Sequence, residues 1–327
     1  VWGFVARRVA AMLAVLLAVV SMLDLLLHLA PTGPLSSLVS PQVIADPAAR
    51  KAIELRAGLD EPLFSQWWHY LGNLVTGDWG VSLFDGSSVS AAIASHGPVS
   101  FELGLLATLF SVIPGIALGA WAALRHGAAA DSSVRIGSVV ALSLPMYWVS
   151  VLALIVVGQR FPGLVPSTGG FAHFTDDPVA NLKVMLLPSL ILALPTFALV
   201  VRATRAAFVE VLSYDYVLFA RGMGMREWQI LRRIGVRNAL LPTLTIIGVL
   251  LSELITGTVI IESVFQLPGM GELMVTAFLR TDYPVALGTT VVAATSVLLL
   301  NFIVDLLYFW VDPRLRLALA GSGERVA

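Results

Sequence analysis

The sequence predicts an all-α polytopic membrane protein with six transmembrane helices and a long extracytoplasmic segment after the first of them. Two observations carry this: the composition and the spacing of apolar runs. Of 327 residues, 57% are apolar and 13% charged, with mean hydropathy +0.87, whereas soluble domains carry about 25% charged and about 45–50% apolar residues. A globule with half the usual charge could not cover its surface with polar groups. The chain has no cysteine, which excludes a disulfide scaffold, thiol redox chemistry and thiolate metal sites. A net charge of -1 offers no global basic field for nucleic acid.

A helix needs about 20 apolar residues to cross a hydrocarbon core ~30 Å thick. Six windows qualify: Val9–Ala30, Phe101–Leu124, Ile136–Val157, Val184–Phe208, Leu240–Ile261 and Val285–Val311. Their apolar runs are continuous, as in helices, and do not alternate as barrel strands do. The first exceeds the 7–15 residues of a signal-peptide core and reads as a retained span. The chain therefore divides into an N-terminal span (1–30), an extracytoplasmic segment (31–100), a core of five spans (101–311) and a tail (312–327). With both termini inside, 14 of the 20 Lys and Arg residues fall on the inner side and 6 (Arg50, Lys51, Arg56, Arg160, Lys183, Arg280) on the outer. That asymmetry predicts cytoplasmic N- and C-termini.

Between the first two spans, Asp46-Pro47 reads as a cap and first helical residue, with Gly58 as the stop. A second start at Asp60 leads into Leu63, Phe64, Trp67, Trp68, Leu71 and Val75, an apolar stripe at helical spacing. With Tyr70 beside them, these residues fit a helix at the membrane interface or one packed on the protein's own rim. The outer stretch Glu262–Pro284, with Pro268-Gly269 and Gly271, reads as a re-entrant or capping loop. Pro114, Pro145, Pro188 and Pro195 interrupt the second, third and fourth spans and suit a cavity-lining bundle.

The richest segment is the inner stretch Val209–Ala239. A short helix stops at Gly222 and Gly224, and another begins at once through Met225, Arg226, Glu227 and Trp228. The apolar positions Trp228, Leu231 and Ile234 recur every three residues, opposite Arg226, Arg232 and Arg233. Such an amphipathic element after a glycine hinge can seat in a groove of a partner. A basic loop contacting lipid headgroups is the plainer alternative. Within the spans, Asp24 and His28 are spaced to pair, as are Asn301 and Asp305, and Glu253 lies in the middle of the fifth window. Each polar residue could line a pathway or make an interhelical hydrogen bond.

Several chemistries are missing. A phosphate-binding loop needs Gly-Lys before Ser or Thr, and the two lysines follow Arg50 and Leu182. There is no His-Glu-x-x-His and no Gly-x-Ser-x-Gly elbow. No catalytic, cofactor-binding or metal-binding constellation is predicted on this chain.

The inner segment resembles the coupling loop of ABC importer permeases, with the motif glycine on Gly224 and its third position on Ala220. Val236 and Arg237 stand where that motif has Leu-Pro. Asp215-Tyr216, Ala220-Arg221, Gly224 and Arg237-Asn238-Ala239-Leu240-Leu241-Pro242 are similar instead to the dipeptide/oligopeptide subgroup. So are Gly58-Leu59-Asp60-Glu61-Pro62, Gly77-Asp78-Trp79-Gly80-Val81-Ser82, Val264-Phe265-Gln266-Leu267-Pro268-Gly269-Met270-Gly271 and Val304-Asp305-Leu306-Leu307-Tyr308 with Asp312-Pro313-Arg314.

The resemblance implies a type I importer permease fold in a bacterial plasma membrane. It implies a second, homologous permease subunit, two ATPase subunits carrying ATP and Mg, and an extracytoplasmic solute-binding protein. Residues about 213–237 would couple to the ATPases through Ala220, Arg221, Gly222, Gly224, Met225, Arg226, Glu227 and Trp228. Phe265, Pro268, Gly269 and Gly271 would form an outer gate or a binding-protein contact. Asp24 and Glu253 have no counterpart in the subgroup's pattern; a carrier driven by an ion gradient, using Asp24, Glu253 or Asp305, is the alternative, and with Asn301 these residues are the candidates for a pathway or interhelical role. Dipeptides, longer peptides, nickel complexes and haem-like compounds are all solutes of the subgroup.

Overall fold

A computed structural model describes residues 2–29, 51, 62–82, 84–165, 171–280 and 282–311. The expected helix from Asp46 and the start at Asp60 lie outside the described residues. Among the described residues the architecture is helical, with one isolated antiparallel bridge between Val81 and Ser88. The helices are α1 (Trp2–Leu29), α2 (Leu63–Thr76), α3 (Val89–Leu124), α4 (Ala129–Ser143), α5 (Met146–Arg160), α6 (Pro178–Leu212), α7 (Asp215–Gly222), α8 (Glu227–Ile230), α9 (Val236–Phe265), α10 (Met270–Leu279) and α11 (Tyr283–Val311).

Among the described residues, four stretches are long and apolar enough to cross a membrane: Val5–Leu23, Val89–Leu124, Pro178–Leu212 and Tyr283–Leu306. They overlap the first, second, fourth and sixth expected windows. The fifth window falls in the 30-residue α9. The third departs from a single helix: α4 and α5 are separate arms bent by 93°. The break falls at Leu144, whose extended backbone (φ -80°, ψ 121°) precedes Pro145. A proline ring clashes with a helical residue before it and removes one helical N–H. Pro188 and Pro195 stay within the continuous α6, and Pro114 within the continuous α3.

The chain forms two compact units. One comprises Val1–Phe101 with Gln266–Leu298, the other Glu102–Phe265 with Leu299–Ala327. In the second, α6 is the central element, packed along α9, α4 and α5. Asp177 caps it, its Oδ1 accepting the N–H groups of Val179 (3.1 Å) and Ala180 (3.0 Å), with Pro178 at the first helical position. The glycines of Gly115-Ile116-Ala117-Leu118-Gly119 let α3 reach α6 closely. A Cβ on Gly115 would lie 2.8 Å from Val200, and one on Gly119 would lie 2.6 Å from the Val201 carbonyl. Small residues four apart are the usual device for close packing in lipid, where no hydrophobic drive separates helix from solvent.

In the first unit, Gly77 (φ 85°) ends α2 in the left-handed region. The loop after it turns at Asp85-Gly86. Asp85 accepts the Ser87 N–H at 2.9 Å, which holds its carboxyl below the usual carboxylate range. Trp79 and Ile93 pack with Val89, Leu273, Ala277, Val285 and Ala286.

Candidate coupling site and outer module

The segment after α6 is built as a hinge. α7 ends at Gly222, and Gly224 takes φ +82°, a conformation glycine adopts without a Cβ penalty. The Gly224 N–H donates to the Arg221 carbonyl (2.9 Å) and the Met225 N–H to the Ala220 carbonyl (3.2 Å). The chain is thereby turned directly into α8. Gln229 Oε1 accepts the Arg226 N–H at the start of α8 (3.1 Å). Across the hinge, Arg221 Nε donates to Glu227 Oε1 at 2.7 Å and Nη2 to Oε2 at 3.2 Å. This bidentate fork is the strong form of an ion pair, and the Glu227 carboxylate holds Arg221 above the usual arginine value. Arg221 therefore stays charged at any physiological pH.

Val217, Ala220, Ile230 and Leu231 are buried with Ala123, Phe208, Val211 and Leu212, seating the hinge on the ends of α3 and α6. The opposite side is apolar and open. Leu218 and Met223 are exposed, and Phe219 and Trp228 have 71% and 65% of their surface free.

This corrects one expectation. Trp228 does not share a face with Leu231 and Ile234, which pack with Phe208 and Ile230 while Trp228 is exposed. At Leu231 α8 passes into a π-turn (Leu231–Gly235) whose closing Val236 N–H donates to the Leu231 carbonyl. The π-turn also brings Gly235 against Phe208, where a Cβ would stand 3.2 Å from the ring. Such turns are rare and concentrate at functional sites.

Near the α3–α4 turn lies an ion pair that the sequence reading missed. Arg205 forks onto the buried Asp131, with Nε donating to Oδ1 and Nη2 to Oδ2 at 2.7 Å. Asp131 also accepts the Gly127 N–H (3.2 Å), and His126 Nδ1 lies 3.1 Å from Arg205 Nη2. The partners are 74 residues apart, so only a residue-pair argument between spans could have found them.

In the first unit, two stretches that read as separate motifs come together. Ser82, from the Gly77–Ser82 stretch, donates its hydroxyl to Asp282 Oδ2 in a buried contact, and Arg280 lies 4.4 Å over the Phe84 ring. A Cβ on Gly288 would meet Val89 at 2.7 Å. The expected capping loop carries its own helix, α10. Its Met270 N–H is received by Ser100 Oγ at 2.7 Å, after a turn in which Gln266 takes φ 52°. Of the residues expected there, Phe265, Gly269 and Gly271 are buried and Pro268 is partly buried. Asn301 is exposed and Asp305 half-buried on α11. The side chains of Asp24, His28 and Glu253 lie outside the described residues.

Several long apolar helices, with a glycine-hinged segment after α6, define a multi-pass membrane protein. The chain belongs to the binding-protein-dependent transport system inner membrane component family. That family's model matches residues 115–317, and the model of its N-terminal region matches residues 1–95. A Brucella abortus protein, named for a peptide transport system permease, is 36% identical over 314 residues, spanning 96% of this chain and 99% of its own. The dipeptide transport system permease protein DppB of Bacillus subtilis is 34% identical, covering 96% of this chain and 98% of its own. The oligopeptide transport system permease protein AppB of the same organism is 31% identical, covering 96% and 99%. Binding-protein-dependent transport sets aside the carrier driven by an ion gradient.

Proposed function

We propose that the chain is one of two permease subunits of an ATP-driven importer of peptides, and that the Gly224 hinge transmits the state of the ATPases to the spans. The carrying observation is the hinge itself. Two short helices are locked together by the Arg221–Glu227 fork and seated on α3 and α6, and they present Leu218, Phe219, Met223 and Trp228 outward. An apolar, preorganised knob of this kind suits a groove on a partner. Ala220 serves the inner packing; Arg221, Gly222, Gly224, Met225, Arg226 and Glu227 shape the knob.

In this reading the knob faces the cytoplasm, with both termini on that side, as the 14-to-6 distribution of cations supports. Two ATPases bind ATP and Mg there, and closure of the ATPase pair draws the hinges of the two permeases together, favouring an outward-open arrangement. A coupling of a few kcal/mol between nucleotide state and permease state suffices. The buried Phe265–Gly271 turn acts as an internal gate element beneath the site where a solute-binding protein delivers peptide. Peptide as the solute rests on the names of the relatives.

The test is isolation of the chain from its native membrane with its companions. A homologous permease and two P-loop ATPases in near-equal amounts are expected. The double variant Phe219→Asp/Trp228→Asp should insert and retain the permease partner while losing the ATPases. A chain isolated alone, or a double variant that keeps its ATPases, would overturn the reading.

A further inference from the structure

α2 is left out of the transport scheme, and three separate observations fix where it lies. First, the stretch Val5–Leu23 of α1 is apolar and hardly buried, with Leu13, Val15, Leu17 and Met22 all exposed. A helix apolar all round needs lipid or other apolar helices about it. Second, Trp67 of α2 donates its indole N–H to Ser21 Oγ at 3.0 Å, while the Ser21 hydroxyl donates to the Leu17 carbonyl at 2.7 Å. Ser21 stands three residues before Asp24, the first ionisable residue after the charge-free run that begins at Val9, about 4.5 Å along the axis at 1.5 Å per residue. The centre of α2 is therefore pinned near the level at which that run stops.

Third, α2 is divided into faces. Trp67 turns to α1, while Phe64, Trp68, Leu71 and Val75 follow one another at helical spacing on the neighbouring face. Of these, Phe64 is 75% exposed, Trp68 62% and Val75 87%. His69, Asn73 and Thr76 occupy another, polar face. The aromatic rings run on from the pinned residue to the open stripe: Phe64 stacks on Trp67 at 5.8 Å, and Trp67 lies 5.7 Å from Trp68. The helix sequence contains no Asp, Glu, Lys or Arg, so its attraction to a surface is that of apolar and indole groups.

We propose that α2 lies in the membrane interface on the face remote from the N-terminus, with Phe64, Trp68 and Val75 in the headgroup–acyl boundary. The occupant of its open stripe is phospholipid. Trp prefers that boundary because its ring is apolar and its N–H polar, and a helix with one apolar face settles about 5–10 Å into it. The inference requires only that α1 cross the membrane, so it stands or falls apart from the coupling scheme.

The absence of native cysteine makes the test direct. Single Trp68→Cys, Val75→Cys and Asn73→Cys variants of the full chain, isolated with its companions, are spin-labelled and reconstituted in phosphatidylcholine/phosphatidylglycerol vesicles. Collisions with oxygen and with a water-soluble nickel chelate are then measured. Labels at 68 and 75 should favour oxygen and report depths of about 5–10 Å below the phosphates, while the label at 73 favours nickel. Equal nickel access at 68, 75 and 73 would overturn the proposal by placing the stripe in water. Shielding of 68 and 75 from both probes would overturn it in favour of a protein cover. Two independent stripe positions keep the outcome readable if Trp68→Cys fails to fold.

Discussion

Gly224 occupies a backbone region that costs an L-residue about 1–2 kcal/mol, yet a Cβ built there meets nothing within 4 Å. Space is free and conformation is not, so the substitutions at this residue separate by backbone chemistry and not by size. Asn, which visits the left-handed region readily, should leave ATP-dependent uptake in proteoliposomes near wild type. Val, β-branched and averse to positive φ, should reduce uptake at least about tenfold, as expected if some 1.4 kcal/mol of coupling is lost. Membrane insertion should be unchanged in both. Equal uptake by the two variants would show that the turn is not what couples. Gly119 is the opposite case: its φ is ordinary and its surroundings are full.

Between elements, that crowding becomes a stability argument. A Cβ on Gly119 would press on the Val201 carbonyl and, at 2.7 Å, on Thr204 Cβ, and neither belongs to a flexible chain end. Gly119→Ala should destabilise the α3–α6 pair by about 1–3 kcal/mol, the usual cost of overpacking. Thermal unfolding in detergent would read it as a lowered midpoint, and an unchanged midpoint would mean that the two helices part easily.

The same elements show how far the sequence could be read. Runs such as those of α3 and α6 are local, and composition reveals them. The hinge at Gly222–Gly224 is legible because glycine marks it. The interruption at Pro145 is legible too, but its 93° bend depends on how both arms pack against α6. The outward turn of Trp228, away from Leu231 and Ile234, depends on how the hinge seats on Phe208 and Leu212, which no three-residue spacing announces. Ser82–Asp282 and Asp131–Arg205 are pairs between distant stretches, and such pairs leave no periodic trace. The Gly115–Gly119 spacing was present in the sequence and could have been noticed.

For the whole molecule, the proposed assembly assigns nucleotide to the ATPase subunits, since neither lysine of this chain, preceded by Arg50 and Leu182, completes the Gly-Lys of a phosphate-binding loop. In the isolated assembly, photoactivated azido-ATP should label the ATPase subunits and leave this chain unmarked; label on this chain would contradict that assignment. The closure of the first unit has a different consequence, in the order of synthesis. Ser82 and Asp282 are separated by 200 residues. At about 5–20 residues per second, a ribosome needs about 10–40 s to supply the second after the first. Throughout that interval Trp79 and Val89 have emerged without the residues that bury them. Contacts of such high order form last. The nascent protein therefore passes through a window in which this module is open to proteases and quality control, and it closes only when the final span has been made.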